Sequence, residues 1–385
     1  MRVIGVESAV RLLSDLVALP TVNPMGRPHA AAEPVERPAV DYLVNLFGRY
    51  GVEMQRLRPN PVHESLLVKI AGRRRGPGTL LEAHLDTVPA EDWGETAFVP
   101  RLQDGRLFGR GACDDKASVV AMALALVEAL EAGARPALPV VLLAAGDEEH
   151  TQTGIRQFAT LDYPLARAVV GEPTRLAPII QHKGVVRWEI TVHGRSAHSS
   201  RPELGRDAIA GAVRVLRHLE EHERRLGETF VSPWMTGPTV TVTMIHGGRT
   251  YNAVADECTL SVDFRVLPGM QPAGSRDELI SSLAALGLEI THGEVQVMMP
   301  PLATAAEDPF ARRALEVCRR VTGRGDLEFA GAPYGTDAAW VAEQASTIVL
   351  GPGGIETAHA VDEHVEIAEV VSAARIYHDL LMTDA

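Results

Sequence analysis

An α/β architecture interrupted by a smaller α+β unit is what this 385-residue chain predicts, and three observations predict it. Short runs made almost wholly of apolar residues, in TLLEAHLD, PVVLLAAGDEE, ARAVVGEP and STIVLGPGG, alternate with helix-like segments, the pattern of a sheet covered on both faces. From about Ile180 the runs alternate polar and apolar residues instead, and the segments follow in the order βαββαβ, the ferredoxin-like split motif. After Pro300 the first pattern returns, so the outer domain is discontinuous. The expected division is residues 1–179 and 295–385 for that domain, with 180–294 inserted.

In chain order, amphipathic spacing predicts helices at 7–18 and 37–50, followed by extended segments at 65–70 and 79–83. A helix at 116–130, a strand at 139–145, a short helix at 154–159 and a strand at 168–170 complete the first half. GVVRWEITVHG reads as the first strand of the insert, and a helix over 205–226 follows it. TVTVTMIHG and CTLSVDFRVLPG are two more strands, with a helix at 276–286 and a last strand through 288–297. The closing part holds a helix at 309–321, the strand STIVL and a helix at 367–381. Proline and charge make AAEPVERP, residues 31–38, the expected mobile loop.

Composition excludes several classes. A content of 46% apolar and 23% charged residues is that of a globular protein with a substantial core. Thirty-seven basic against 50 acidic residues give a formal charge of -13, which argues against nucleic-acid or anionic-membrane partners. Cys113, Cys258 and Cys318 are odd in number and far apart, so no disulfide framework is readable and a reducing cytoplasm is expected. The N-terminal segment lacks a signal-peptide core. The most membrane-like stretch, residues 117–127, is far short of a span and reads as a buried helix.

Chemistry-bearing residues cluster just after the apolar runs, where ligands bind in open α/β sheets. His84, Glu149, Glu172 and His359 follow such runs, and Asp114 precedes the helix at 116–130. Two imidazoles and three carboxylates suit two Zn²⁺-like ions that share one carboxylate and leave a position for water. Asp86, two residues after His84, can accept from one ring nitrogen and free the other for a metal. The adjacent pair Glu148 and Glu149 is costly after an apolar strand unless neutralised, which suits one ligand and one general base. Plainer readings stand beside these. HLDTVPAED can be a solvated turn, Asp114 and Asp115 a helix N-terminus, and Glu172 a surface turn. His359 has rivals in His364 and His150. Cys113 can be a soft ligand, a nucleophile or a small buried residue.

Taken in order, HLDTVP, GRGACDDK, GDEEH, GEPT, GRSAHSS and GPGGIETAHAVDEHVEI resemble the acetylornithine deacetylase, succinyl-diaminopimelate desuccinylase and carboxypeptidase G family of binuclear zinc metallopeptidases, over nearly the whole chain. The resemblance implies a zinc-peptidase-like catalytic domain with a mixed, mostly parallel sheet, and an inserted lid that also mediates homodimerisation. It implies that His84 and Glu172 hold one metal, Glu149 and His359 the other, with Asp114 bridging and Asp86 orienting His84. Glu148 resembles the general base, and His198 of GRSAHSS the histidine that stabilises the oxyanion. Asn252 and Arg265 match positions that contact the substrate, a guanidinium suiting a carboxylate. Gly353 and Gly354 can present backbone N–H groups to the same carboxylate, or form only a turn. Two departures touch substrate fit alone: ASVVA after Lys116, and Arg249, Thr250 and Tyr251 before Asn252.

The expectation is therefore a cytoplasmic amidohydrolase with two divalent ions, Zn²⁺ first and Co²⁺ or Mn²⁺ as alternatives. Its partner would be an N-acyl amino acid or short peptide, with acetylornithine deacetylase-like activity leading. A desuccinylase, dipeptidase or carboxypeptidase of the same family is the alternative, and a non-catalytic metal-binding relative stands further off. A serine hydrolase lacks its G-x-S-x-G elbow.

Overall fold

The computed structural model describes residues 3–29 and 32–383, apart from the Glu95 side chain. The chain folds as two compact units, Met1–Ile180 with Thr304–Ala330 and Thr336–Ala385, and Gln181–Ala303 with Gly331–Gly335. The change of pattern at Ile180 coincides with the first crossing. The return comes at Thr304 rather than 295, because Val297–Met299 pairs with Gly184–His193 and stays with the second unit.

In the first unit the sheet order is Glu53–Leu57, Ser65–Ile70, Val140–Ala145, Gly78–His84, Leu165–Val170, Ser346–Val349. The last four strands run parallel. The Glu53 side is antiparallel, and Ile179 joins the other flank antiparallel to Val349. Every residue of Gly78–His84 and Val140–Ala145 is buried, as continuous apolar runs require when both faces are covered. Glu53–Leu57, with the sequence EMQRL and only Leu57 buried, carries no such signal.

Helix Lys116–Glu131 is buried on nearly all sides, the behaviour of a helix without a polar face. Its Lys116 Nζ donates to the carbonyls of Leu16 and Leu19 at 3.1 and 2.8 Å, and burial brings the amine down to about 7. No helix among the described residues is long and apolar enough to cross a membrane. Of the expected loop at 31–38, residue 31 lies outside the described residues, while Arg37 and Pro38 already open helix Arg37–Gly48. A small sheet of Arg101–Gln103, Arg106–Phe108 and His364–Glu366 braces the chain after His359. Its hairpin turns through Asp104 and Gly105, both at positive φ, as a tight two-residue turn demands.

The second unit has the order βαββαβ, with a fully antiparallel sheet of Thr239–Gly247, Glu257–Val266, Gly184–His193 and Glu289–His292. Val186, Trp188, Ile190 and Val192 pack with Leu260, Val262 and Phe264 and with the helix residues Val215, Leu219 and Leu279, which is the buried half of a period-2 pattern. Helix Ala208–Thr229 starts three residues later than expected. Asp207 caps it, its carboxylate accepting from Ile209 and Ala210 N–H. The last expected strand is broken in two, Glu289–His292 and Val297–Met299, around Gly293.

Candidate metal centre

The site is built at the carboxyl ends of the first unit's parallel strands. His84 is the last residue of Gly78–His84; Glu148 and Glu149 follow Val140–Ala145, and Glu172 follows Leu165–Val170. Asp114 precedes helix Lys116–Glu131, and His359 lies in the loop after Ser346–Val349. Close approach explains one glycine here. A Cβ on Gly171 would lie 2.6 Å from Asp115 Oδ2 and 2.9 Å from Ala83 Cβ, so only glycine lets the chain reach Glu172. Asp147, Gln152 and His359 adopt left-handed φ values of 70°, 57° and 60°, uncommon for non-glycine residues.

Asp114 presents one oxygen to each imidazole. Its Oδ1 lies 3.0 Å from His84 Nε2, and its Oδ2 lies 3.2 Å from His359 Nε2. His359 Nε2 also stands 3.3 Å from Glu149 Oε1. Ligand atoms of His84, Glu148 and Glu172 lie within 4.8 Å of one another, as do those of His84, Asp114 and Glu149. His359 therefore joins the cluster, whereas its rival His364 lies against the Phe108 ring and His150 is exposed.

The expected contact of the Asp86 carboxylate with His84 takes a different form. The Asp86 main-chain carbonyl meets His84 Nδ1 at 2.9 Å, and the carboxylate stays 3.7 Å away. That carboxylate instead accepts from the backbone N–H of Glu148 and of Glu149 at 3.1 and 3.2 Å, and from Asn23 Nδ2 at 2.9 Å. It orders the glutamate loop while the backbone orients the ring.

Sequence reasoning missed the residues behind this loop. Asn23 also donates to Asp147 Oδ1, and His63 spans Asp147 and the buried Glu36. Glu363 accepts from the N–H groups of Cys113 and Asp114 at 2.9 and 3.0 Å and is paired with buried Arg110. Gln152 Nε2 donates to Glu148 Oε1 at 3.1 Å. Nothing in local pattern marks them; Asn23 lies 63 residues from Asp86, and Glu363 lies 250 from Cys113.

Charge in the cluster is unbalanced. Burial would raise Asp114, but hydrogen bonds from His359 and His84 outweigh it and hold the carboxyl below its ordinary range. Burial, reinforced by Glu149, Asp86 and Asp114 and opposed by His84, pushes Glu148 up to about 8. Burial raises Glu172 strongly and Glu149 as well, His359 opposing the latter. Hydrogen bonds to Asp114 and then Glu149 push His359 up to about 10. Four carboxylates thus face two imidazoles, and protons are recruited at Glu148, Glu149, Glu172 and the imidazoles rather than at Asp114; divalent cations would displace them. The donor set fits: nitrogen and oxygen ligands converge, and Asp114 is disposed to be shared. These groups form a centre for two divalent ions.

Other expected residues lie elsewhere. His198, Asn252 and Arg265 belong to the second unit. His198 and Asn252 are neighbours there, Ser199 N–H donating to the Asn252 carbonyl at 2.9 Å. Arg265 donates from Nε and Nη2 to Asp263. Gly353 and Gly354 are in the first unit, and the Gly353 N–H goes to Glu369 Oε2 at 2.6 Å, so it is not offered to a ligand. Cys113 is buried between the Gly354 carbonyl and Thr357 Oγ1. Burial pushes its thiol well up, which makes it a packed residue rather than a thiolate.

Comparison with known proteins agrees with this geometry. Two bacterial proteins named acetylornithine deacetylase align almost end to end. The one from Klebsiella pneumoniae is 32% identical, with 93% of this chain and 92% of its own length covered. The one from Photorhabdus laumondii is 29% identical, with 97% and 96% covered. Among solved structures, aminopeptidase PepT from Bacillus cereus superposes with a TM-score of 0.77 at 18% identity, covering 99% of both chains. An M20 family metallo-carboxypeptidase from Sulfolobus solfataricus gives 0.76 at 17%, covering 97% and 98%; both likenesses speak to the fold. The sequence profile of Peptidase family M20/M25/M40 matches residues 80–383, a span that holds all five candidate ligand residues. A shared carboxylate between two imidazoles and a profile that runs through it lead to one conclusion: the chain belongs to peptidase family M20/M25/M40, as a metal-dependent hydrolase of amide bonds.

Proposed function

We propose that this enzyme removes the acyl group from an N-acyl amino acid, with N-acetylornithine the leading substrate. One observation carries the chemistry: the half-buried Glu148 stands in the same cluster as the buried His84 and Glu172 yet is not needed for a five-residue ligand set. The end-to-end likeness to acetylornithine deacetylases supports the substrate class.

In this reading His84 and Glu172 hold one ion, Glu149 and His359 the other, and Asp114 is shared. Bound there, two divalent ions, Zn²⁺ first and Co²⁺ or Mn²⁺ as alternatives, would lower the pKa of water and polarise the scissile carbonyl. Glu148 takes the proton of the attacking water and hands it to the leaving amine. Asp86 acts by holding the Glu148 and Glu149 amides. His198 supplies a hydrogen bond to the oxyanion. Its Nδ1 accepts from Ser200 N–H at 3.2 Å, so in the neutral ring the proton sits on Nε2, pointing away from that turn. Asn252 and Arg265 read the substrate, Arg265 through its remaining Nη1, and Gly354 is a further expected substrate contact.

The second unit serves as lid and dimerisation domain, residues 180–294 being its expected extent. Its outer strand Thr239–Gly247 is paired on one side only and exposes Met244 and Ile245, while Ile209 and Val213 are exposed on helix Ala208–Thr229. An open edge beside apolar side chains is a pairing surface, which supports a homodimer. Three buried, unpaired thiols support a cytoplasmic location.

The test is amine release from N-acetylornithine, N-succinyl-diaminopimelate, other N-acyl amino acids and dipeptides, by metal-stripped protein before and after Zn²⁺ or Co²⁺. Metal-restored cleavage with N-acetylornithine preferred is the expected result. Preference for a dipeptide or a succinylated substrate would move the enzyme to another branch. Silence with two metals bound would overturn the reading.

A further inference from the structure

Resting on the reading of Glu148 as the base, a second pair of residues acquires a role. Gln152 Nε2 lies 3.1 Å from Glu148 Oε1, and Trp340 Nε1 lies 2.8 Å from Gln152 Oε1. An indole nitrogen can only donate. The Gln152 amide oxygen must therefore face Trp340, and its NH₂ must face Glu148. The amide has no second orientation that satisfies both neighbours.

Both residues are held in place. Gln152 is buried, takes a left-handed φ of 57° and donates its backbone N–H to the Asp147 carbonyl at 2.6 Å. Trp340 ends the turn Asp337–Trp340, capped by the Thr336 hydroxyl. It packs on the cluster of Ile155, Phe158 and Val341, with the Arg156 guanidinium 5.0 Å from its ring centre. A glutamate side chain has freely rotating bonds and two equivalent oxygens. A fixed donor on Oε1 removes that freedom and leaves Oε2 as the oxygen that takes the proton.

We propose that Gln152, locked by Trp340, is a positioning residue for Glu148: it selects the carboxylate oxygen that accepts the proton of water and keeps it aimed. Among the described residues, the Gln152 amide bonds to Glu148 and to Trp340, not to any of the five proposed metal ligands. Its contribution belongs to the chemical step, not to metal or substrate binding.

The experiment is a series of Gln152→Met, Trp340→Phe, the double variant and Glu148→Ala. Each is measured for kcat and KM, for Zn²⁺ stoichiometry and affinity by titration calorimetry, and for melting temperature. The indole N–H resonance of Trp340 is assigned by its loss in Trp340→Phe. Gln152→Met keeps length and shape but loses the donor; Trp340→Phe keeps a ring and frees the amide to flip. Expected are a fall in kcat of about 10- to 100-fold for Gln152→Met, with KM within about twofold. A smaller fall is expected for Trp340→Phe, and a double variant no worse than Gln152→Met alone. Two ions should stay bound with unchanged affinity, and the indole resonance should move in Gln152→Met. Full activity in Gln152→Met beside a dead Glu148→Ala overturns the positioning role alone. An active Glu148→Ala overturns the base reading and this inference with it. A kcat loss matched by lost metal or lost folding reduces the pair to scaffolding and overturns the inference too.

Discussion

Asp114 is where the centre is most sensitive to a single atom. Each of its oxygens meets a different imidazole, at 3.0 and 3.2 Å, and its N–H is fixed by Glu363 at 3.0 Å. Asn at this position keeps the shape but offers one acceptor oxygen and no charge. Asp114→Asn is expected to bind fewer than two ions per chain and to lose at least about 100-fold in kcat, since a bound ion is worth several kcal/mol of transition-state stabilisation. Metal analysis beside steady-state kinetics checks this; two ions retained at near-native rate would refute the shared-ligand assignment. His84, Glu149, Glu172 and His359 were legible because each follows an apolar run, and Asp114 because it stands just ahead of the long apolar helix at Lys116. Asn23, His63, Gln152 and Glu363 were not. They act through hydrogen bonds formed only when distant loops meet, and an isolated polar residue has no period for a pattern to reveal.

Elements divide along the same physical line. The central strands announced themselves because burial on both faces forces an unbroken apolar run, and the helix at Lys116 did so because it has no polar side. The edge strand Glu53–Leu57 stayed hidden, since its backbone is paired by Ser65–Ile70 while most of its side chains meet water. Strand Ile179–His182 carries a consequence for acid stability. His182 is wholly buried, and burial brings its imidazole down to about 4, whereas an unfolded histidine titrates near 6.5. The unfolded chain therefore binds the extra proton between those values, so His182's contribution is complete above about pH 6.5 and is lost as pH falls towards 4. The loss amounts to about 3 kcal/mol at most. Urea unfolding of the native protein and of His182→Gln at pH 7.5 and 4.5 measures it. The native protein should lose more stability than the variant across that interval, and equal losses would refute the assignment.

At the scale of the molecule, the discontinuous first unit was legible because STIVL and His359 had to rejoin the earlier strands to complete a site. The small excursion Gly331–Gly335 into the second unit was not, being held by backbone contact such as Lys183 N–H to the Ala332 carbonyl at 3.1 Å. Every proposed metal ligand lies in the first unit, although the five span positions 84 to 359, so an unfolded chain offers the ions no preformed cluster. Ions that bind only the folded arrangement stabilise it by mass action, about 2.7 kcal/mol per site at a free concentration 100 times Kd. This linkage acts on the unit that supplies the ligands. Chelation should therefore speed amide hydrogen exchange in the loops around residues 84–88, 112–116, 146–150 and 171–176. The core strands Gly184–His193 and Glu257–Val266 of the second unit, packed on their own apolar cluster, should exchange as before. Local opening governs the loops, and the second unit's core opens through its own transition. Equal loss of protection in both units would mean that they unfold as one cooperative body, and the metal would then stabilise the whole chain rather than its catalytic half.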